Sequence, residues 1–179
     1  MELKRVVVTG IGAITPIGNT VEDIFNNFIN GTSGCELITR FDTSLYKTKF
    51  ACQVKDFDVA KYVDRKEARK MDLFTQFAMG AAIEAVADGN LNIESLDPNR
   101  IGCIWGSGVG GLETLQNDLA EFGKNGRNPR FNPFFIPKII GNIASGLITM
   151  KFGMRGPSYG IVSACASSTH ALIDSFNLI

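Results

Sequence analysis

The composition of this 179-residue chain fits one substantial globular domain with a buried core and would leave two independent domains cramped. Hydrophobic residues make up 45% of the chain and charged residues 20%, which is too apolar for a disordered protein. Lys and Arg together number 18, as do Asp and Glu, so the net charge gives no evidence of nucleic acid or a membrane as a partner.

The four cysteines favour neither a zinc site nor a disulfide framework. They have no CxxC spacing, and the chain offers one histidine as a further ligand. The N-terminus MELKRVVVTG lacks the apolar region of a secretion signal, and no apolar stretch reaches the roughly 18 residues that would span a bilayer. We therefore expect a reduced, cytoplasmic protein with no metal site.

In the first half of the chain, strand and helix patterns alternate. Residues 4–10 (KRVVVTG) contain a short β-branched run closed by Gly and predict a buried, central strand. Thr20 is placed to cap a helix over residues 21–30. Residues 49–54 (KFACQV) predict a further strand, and apolar spacing predicts a helix over residues 72–89. The alanine-rich face of that helix would allow close approach of a neighbour.

The second half continues the alternation. The predicted elements are a buried strand in 100–108, a helix over 112–122, an exposed loop over 123–133, a helix over 139–152, a strand over 158–164 and a helix from 167 onward. Strands alternating with helices predict an α/β domain with a mainly parallel sheet covered on both faces. The last helical pattern stops without a C-cap, so we expect the chain to be the first half of something larger.

Cys165 differs from the other cysteines in its position. It follows the predicted strand 158–164, and the small residues after it permit a sharp strand-to-helix turn that leaves its side chain exposed. Free backbone N–H groups and the helix dipole at such a position favour a thiolate. The same N–H groups can form part of an oxyanion hole. The sequence therefore predicts Cys165 as a nucleophile.

The other cysteines and the histidine have more ordinary interpretations. Cys35, Cys52 and Cys103 are interpreted as small buried hydrophobic residues. His170 follows Cys165 by five residues, about 140° around a helix, so its ring would point away. We interpret His170 as a structural histidine near a packing interface.

Two glycine patterns suggest a dinucleotide site, and both lack a necessary part. Residues 106–111 fit GxGxxG, but no acidic residue stands at the end of a strand about 20 residues further on. In residues 6–18 (VVVTGIGAITPIG), Pro16 interrupts the expected start of the phosphate-binding helix. The alternative is that these glycines serve tight turns and close backbone packing.

Basic residues cluster in the sequence DRKEARKMD. The cluster consists of Arg65, Lys66, Arg69 and Lys70, and Arg127 and Arg130 add charge in the exposed loop. Such a run is usually a solvated surface. If it is a binding site, its partner is anionic.

Taken together, the segments resemble the β-ketoacyl-acyl carrier protein synthases, closest to the synthase II type. The matching stretches are RVVVTGIGAITPIGNT, RKEARKMD, IGCIWGSGVGGLETL, NPFFIPKIIGNIASG and KFGMRGPSYGIVSACASSTHAL. The resemblance implies one half of a thiolase-like fold, a layered α/β/α/β/α architecture, with residues 1–179 as the N-terminal half of the condensing-enzyme domain. It also implies acyl-chain elongation in fatty-acid biosynthesis with no redox or nucleotide cofactor.

The resemblance assigns roles to individual residues. Cys165 would be the acyl-accepting nucleophile, and its backbone N–H would help to stabilise the oxyanion. Val109 would line the acyl pocket, and Phe135 and Ile136 would reach that pocket across a homodimer interface. The family's docking surface for acyl carrier protein would correspond to Arg65, Lys66, Arg69, Lys70 and Arg130.

One departure from the family leaves two cases open. The family's two catalytic histidines and its lysine belong to the second half, and His170 matches a noncatalytic position. If 179 residues are the entire polypeptide, we expect no condensing activity and poor stability; if the chain continues past Ile179, the activity is that of the parent protein. The alternatives are a catalytically silent module that docks carrier protein or an active partner, and a nucleotide-binding α/β domain.

Overall fold

The fold alternates α-helices with short strands over residues 4–128 and 130–179, the part of the chain that this computed structural model describes. Its α-helices are α1 (Val21–Ile29), α2 (Arg65–Ala68), α3 (Leu73–Asp88), α4 (Leu112–Lys124), α5 (Phe135–Ile139), α6 (Ile143–Phe152) and α7 (Ser167–Leu178). Its strands are β1 (Cys35–Leu37), β2 (Phe50–Cys52), β3 (Cys103–Gly106) and β4 (Ser158–Ile161). Short 3₁₀ turns occur at Val59–Lys61, Ile93–Ser95, Pro98–Arg100 and Ala164–Ala166.

Two small sheets organise these elements. Strands β1 and β2 pair antiparallel, whereas β3 and β4 pair parallel with Trp105 opposite Gly160. Trp105 packs into the core beside α6, and the next residue, Gly106, faces the start of α7. Because successive strand residues point to opposite faces, α6 and α7 cover the two faces of the parallel sheet. The predicted parallel sheet with helices on both faces is confirmed.

The core lies where α3 crosses α6. Small residues, Ala78 on α3 and Ala144 on α6, are both essentially inaccessible to solvent. Met79 and Ile148 complete the contact, and Trp105 of β3 packs against it. Small side chains allow the two helices to approach closely, as predicted from the alanine-rich face of α3. This packing fixes the sheet relative to α3.

The expected central strand over residues 4–10 is wrong. These residues enter neither sheet, and Val7 and Val8 are 62% and 76% exposed. Their β-branched composition favours an extended backbone, but a strand also needs a neighbour for its ladder hydrogen bonds. No such neighbour lies beside this segment among the described residues.

The chain after that segment is instead held on α3 by two acidic side chains. Asp88 accepts a hydrogen bond from the backbone N–H of Ile11 at 2.8 Å. Glu84 accepts from the N–H of Ala13 at 2.8 Å and from the N–H of Val21 at 2.7 Å. Glu84 therefore joins the N-terminal segment and the first turn of α1 to α3.

Most other elements match their predictions, with one exception at α5 and α6. Thr20 caps α1, accepting from the N–H of Asp23 at 3.1 Å. The helix expected over 139–152 begins later, at Ile143, because Ile139 is the last residue of the separate helix α5 and Ile140 is extended. The apolar pattern continues across residues 140–142, so the sequence does not indicate the interruption.

In the described residues, no helix combines the length and hydropathy that a membrane crossing requires.

Candidate functional site

The candidate site lies at the carboxyl edge of the parallel sheet. Strands β3 and β4 end side by side, since Gly106 pairs with Ile161 and the N–H of Ser107 donates to the carbonyl of Ile161 at 3.0 Å. The segments leaving both strands therefore begin at one edge. Cys165 follows β4 by four residues, and Val109 follows β3 by three.

Cys165 occupies a tight turn between β4 and α7. The turn is the 3₁₀ segment Ala164–Ala166, and Ala164 has φ +50°, in the left-handed region that side chains with a Cβ rarely adopt. The Cys165 thiol is exposed. Among the described residues its backbone N–H donates to no protein acceptor. The expected exposure of the thiol after a sharp strand-to-helix turn is confirmed, and its role stays a prediction.

Ser167 closes this turn from the first position of α7. Ser167 is 3% exposed, and its Oγ accepts from the N–H of Ser163 at 2.9 Å and donates to the carbonyl of Ala164 at 2.7 Å. One hydroxyl thus binds both Ser163, the residue before the 3₁₀ turn, and Ala164, the first residue of the turn. Since buried hydrogen-bonding groups are expensive to leave unpaired, Ser167 stabilises the strained backbone at Ala164.

Gly106 lets the start of α7 approach β3 closely. A Cβ at Gly106 would lie 2.6 Å from the carbonyl carbon of Ser167 and 2.7 Å from the backbone nitrogen of Ser168. Any larger residue would push the turn away from the sheet. This first glycine of the GxGxxG pattern therefore has a packing role, which is the alternative to a dinucleotide site that the sequence left open.

His170 is engaged next to Cys165. Its Nδ1 lies 2.7 Å from the Oγ of Ser163, two residues before the cysteine. This hydrogen bond agrees with the interpretation of His170 as a structural histidine. The hydrogen bond joins the first turns of α7 to the segment just after β4. The imidazole ring therefore already has a partner next to the turn that carries the thiol.

The other three cysteines differ from Cys165 and from one another. Cys103 is half-buried in β3, and burial raises the pKa of its thiol from 9.0 to about 11. The prediction that Cys35 and Cys52 are buried is wrong, because both are exposed on the two-stranded antiparallel sheet. That sheet has a solvent-facing side, which the sequence pattern over 31–65 did not indicate.

The three residues expected to line an acyl pocket lie near the carboxyl edge of the sheet and line neither of the two clefts described below. Val109 and Ile136 are 69% and 58% exposed, and Phe135 is half-buried against the ring of Phe131 with centroids 5.3 Å apart. The N–H of Gly111 donates to the carbonyl of Ile139 at 3.1 Å, which joins the turn after β3 to α5.

Two clefts lie elsewhere. One of about 410 Å³ lies at the opposite end of the parallel sheet, lined by residues that include Gly102, Pro157 and Leu178. A more polar cleft of about 620 Å³ lies beside α4 and includes Arg130 and Phe131. Neither contains Cys165, so the chemistry of the candidate site depends on exposed residues at the carboxyl edge.

The basic residues predicted as a docking surface are all partly or fully exposed. Arg65 and Lys66 lie on α2, whose N-cap Asp64 accepts from the N–H of Lys66 at 2.7 Å, and Arg69 follows the helix. Lys70 differs from these three residues because its ammonium group already has partners. Its Nζ lies 2.6 Å from Glu67 Oε1 and 5.7 Å from the centroid of the Phe134 ring.

The fifth of these residues, Arg130, is exposed in the loop before α5. The contact of Lys70 with Phe134, the residue immediately before α5, brings the basic run beside the same region of the chain. The basic run therefore lies next to the segment that carries Phe135 and Ile136.

Asp72 supports this region structurally. The sequence predicted only that it stands at the start of the helix over residues 72–89. It caps α3 through the N–H of Phe74 at 3.2 Å, and its other carboxylate oxygen accepts from the N–H and hydroxyl of Thr114 at 3.1 and 2.5 Å. One buried carboxylate thus caps both α3 and α4. The signal that could have found this second role is the absence of a capping side chain at Gly111, before α4.

Comparison with known proteins places the chain in a family. Residues 3–179 match the family described as "Beta-ketoacyl synthase, N-terminal domain". The chain is 44% identical over its full length to a 3-oxoacyl-[acyl-carrier-protein] synthase 2 of Synechocystis sp., covering 43% of that protein. It is 41% identical over 98% of its length to the protein of the same name from Staphylococcus aureus strain COL, covering 42% of it. The chain thus spans less than half the length of the curated relatives it matches.

Solved structures support the same placement. One is the ketosynthase/chain length factor of ishigamide, with a TM-score of 0.88 and 26% identity over 98% of this chain and 45% of the other. Another is a "type II PKS acyl-carrier protein in complex with its ketosynthase bound to the hexaketide", with a TM-score of 0.81 and 26% identity over 98% of this chain and 47% of the other.

These likenesses agree with the short parallel sheet and its two covering helices. The predicted fold class, one half of a thiolase-like α/β fold, is confirmed. The resemblance to the synthase II type, which the sequence motifs indicated, is also confirmed. The chain belongs to the β-ketoacyl synthase family and corresponds to its N-terminal domain.

Proposed function

We propose that these 179 residues are the N-terminal half of a β-ketoacyl-acyl carrier protein synthase, an acyltransferase that elongates acyl chains in fatty-acid biosynthesis. The observation that carries the proposal is the position of Cys165, an exposed thiol on a strained turn between β4 and α7 in a chain that matches this family over residues 3–179. The second half of the parent protein would supply the remaining catalytic groups.

In the first step, the Cys165 thiolate attacks the carbonyl carbon of an acyl thioester carried on phosphopantetheine. A bond forms from Sγ to the acyl carbon, and the bond from that carbon to the carrier sulfur breaks, so the carrier leaves as a thiol after taking up a proton. Charge develops on the carbonyl oxygen during the attack. The N–H of Cys165, which has no protein acceptor among the described residues, is available to stabilise that charge.

In the second step, malonyl carrier protein loses carbon dioxide, and the electron pair left on its α-carbon attacks the Cys165 thioester. A carbon–carbon bond forms while the bond from Sγ to the acyl carbon breaks. The product is a β-ketoacyl chain on the carrier that is two carbons longer, and Cys165 returns as a thiolate. The step consumes no redox equivalents, so the proposal requires no redox or nucleotide cofactor.

The acid–base groups for the second step are proposed to lie in the second half. The chain has one histidine, His170, and its Nδ1 is engaged by Ser163. Since the family resemblance assigns two histidines and a lysine to the other half, we expect acyl transfer to Cys165 to be separable from condensation. The 179-residue chain alone would not condense.

The proposed partner is acyl carrier protein, the acidic protein on which the synthases of this family act. Arg65, Lys66 and Arg69 are exposed and, among the described residues, form no ion pair. With Lys70 and Arg130 they would form the docking surface, where complementary charge speeds encounter.

Val109 would line the acyl pocket in a cytoplasmic homodimer, and Phe135 and Ile136 would complete it from the partner subunit. The exposure of Val109 and Ile136 in the isolated chain supports this arrangement.

The test uses the complete polypeptide that contains these residues, incubated with acyl carrier protein loaded with a radiolabelled acyl group. Peptide mapping by mass spectrometry is expected to find the acyl group on Cys165. Cys165→Ala should abolish the adduct and Cys103→Ala should retain it. A fully folded Cys165→Ala variant that still forms β-ketoacyl product would refute the assignment, and equal acylation of Cys35 or Cys52 would show that exposure alone directs the label. Absence of any adduct would favour a catalytically silent docking module.

A further inference from the structure

Two cysteines outside the candidate site stand opposite each other across the antiparallel sheet. In the register of β1 and β2, Cys35 pairs with Cys52, Glu36 with Ala51 and Leu37 with Phe50. Both thiols are free and exposed. The proposed function uses neither of them.

The hydrogen-bond pattern shows which type of pair the two cysteines form. The N–H of Ile38 donates to the carbonyl of Lys49, the residue opposite it in the same register, at 2.9 Å. Hydrogen-bonded and non-hydrogen-bonded pairs alternate along an antiparallel ladder. Counting from Ile38, the pair of Glu36 and Ala51 is hydrogen-bonded, and the pair of Cys35 and Cys52 is not.

A non-hydrogen-bonded pair brings the side chains closest. Its Cα atoms lie about 4.5 Å apart, within the range of about 4.4–6.8 Å that a disulfide spans. Cys35 and Cys52 also share one face of the sheet, because directly opposite residues point the same way. That face is open, since Leu37 and Phe50 beside them are 70% and 58% exposed.

The other two cysteines do not compete for this bond in the fold. Cys103 is half-buried in β3 of the parallel sheet, and Cys165 lies on the turn after β4 of that sheet. The antiparallel sheet is a separate unit. Its two thiols are therefore the pair that the backbone brings together.

We propose that Cys35 and Cys52 form a dithiol site that small disulfides oxidise reversibly. One protein thiolate attacks a disulfide such as glutathione disulfide, giving a mixed disulfide and one glutathione thiolate, which takes up a proton. The second protein thiolate then attacks the protein sulfur of the mixed disulfide and releases the second glutathione. The protein loses two hydrogens in total, and the oxidant becomes two molecules of glutathione.

The bond would lock the loop between β1 and β2. It would close a ring around residues 36–51, which include Arg40, whose guanidinium pairs with Glu113 of α4 at 2.9 Å. In a reducing compartment the thiols stay free, so the bond would form only under oxidative stress and reverse afterwards. The site is independent of acyl transfer and stands whether or not the proposed function holds.

The test uses the complete polypeptide that contains these residues, with Cys165→Ser, which removes exchange with the exposed thiol of the candidate site. The chain is equilibrated in glutathione redox buffers, quenched in acid, alkylated and digested with trypsin. The expected product links peptide 6–40 to peptide 50–55, has lost two hydrogens, and disappears on treatment with a dithiol. Phenylarsine oxide, which binds paired thiols, should protect the same two cysteines from alkylation.

The matched control moves one thiol to the other face of the same strand. In Cys52→Ser/Ala51→Cys the new thiol is opposite Glu36, so it should link to Cys35 at least tenfold less at the same redox potential. All replaced positions are partly or fully exposed, and circular dichroism checks that each variant folds. Equal linkage in the control, or glutathione mixed disulfides on Cys35 and Cys52 without the link, would overturn the proposal.

Discussion

Asp72 and Thr114 join the first turns of two helices that are far apart in sequence. The Asp72 carboxylate caps α3 and also accepts from the backbone N–H and the hydroxyl of Thr114 in α4. The residue Asp72 is 7% exposed. It lies at the end of the basic run, and α4 begins just after the turn that carries Val109, so this one side chain positions two parts of the candidate site.

Asp72→Ala is expected to lower the free energy of unfolding by about 2–4 kcal/mol, because it removes two helix caps and leaves the Thr114 donors without an acceptor. Urea unfolding followed by circular dichroism measures the loss. The matched control is Asp64→Ala, which removes the cap of the short, exposed helix α2 and should cost about 1 kcal/mol or less. Equal losses in the two variants would contradict the double role of Asp72.

Ser167→Ala should loosen the turn that carries Cys165. The substitution removes the acceptor for the N–H of Ser163 and the donor to the carbonyl of Ala164. We expect a loss of about 1–3 kcal/mol in stability and a change of several-fold in the rate at which iodoacetamide alkylates Cys165. Ser168→Ala, at an exposed neighbouring position, should change neither. A folded Ser167→Ala variant with the parent alkylation rate would show that the hydroxyl does not position the thiol.

The sequence predicted the local parts of this site better than its connections. The strand, the small residues and the exposed thiol around Cys165 follow from patterns within about ten residues. The bonds of Asp72 to Thr114 and of Glu84 to Val21 join residues 42 and 63 positions apart. No local pattern determines such pairs, since they depend on how α3 packs against the elements around it.

The failed strand over residues 4–10 has the same explanation. A run of β-branched residues favours an extended backbone, but pairing depends on a second segment that must lie alongside. The misplaced boundary at Ile140 is different, because the apolar residues on both sides continue one helical pattern and the break is visible only in backbone angles. The family motifs identified the chain because they specify backbone and site together.

Cys103 should make the protein less stable in alkali. Its thiol has a pKa raised by burial from 9.0 to about 11, so the folded state retains a proton that the unfolded state has released. By linkage, stability is intact below pH 9 and falls as the pH rises from about 9 to 11. Chemical unfolding of wild type and Cys103→Ala at several pH values tests this, and the difference between the two proteins isolates the thiol from tyrosines that titrate in both. A difference that stays constant from pH 8 to 11 would rule out the contribution.

Charge reversal on the basic run tests the proposed carrier surface. Arg65→Glu, Lys66→Glu and Arg69→Glu together should slow association of the complete polypeptide with acyl carrier protein by tenfold or more at low salt, with a smaller effect at high salt, because exposed charges steer encounter and are screened. Lys70 is left intact, since its ion pair with Glu67 and its contact with Phe134 give it a structural role. Reversal of the exposed Lys47, Lys151 and Arg155 is the control with equal change in net charge. Surface plasmon resonance gives the rates, and equal slowing by both triple variants would mean that net charge, not this surface, governs the encounter.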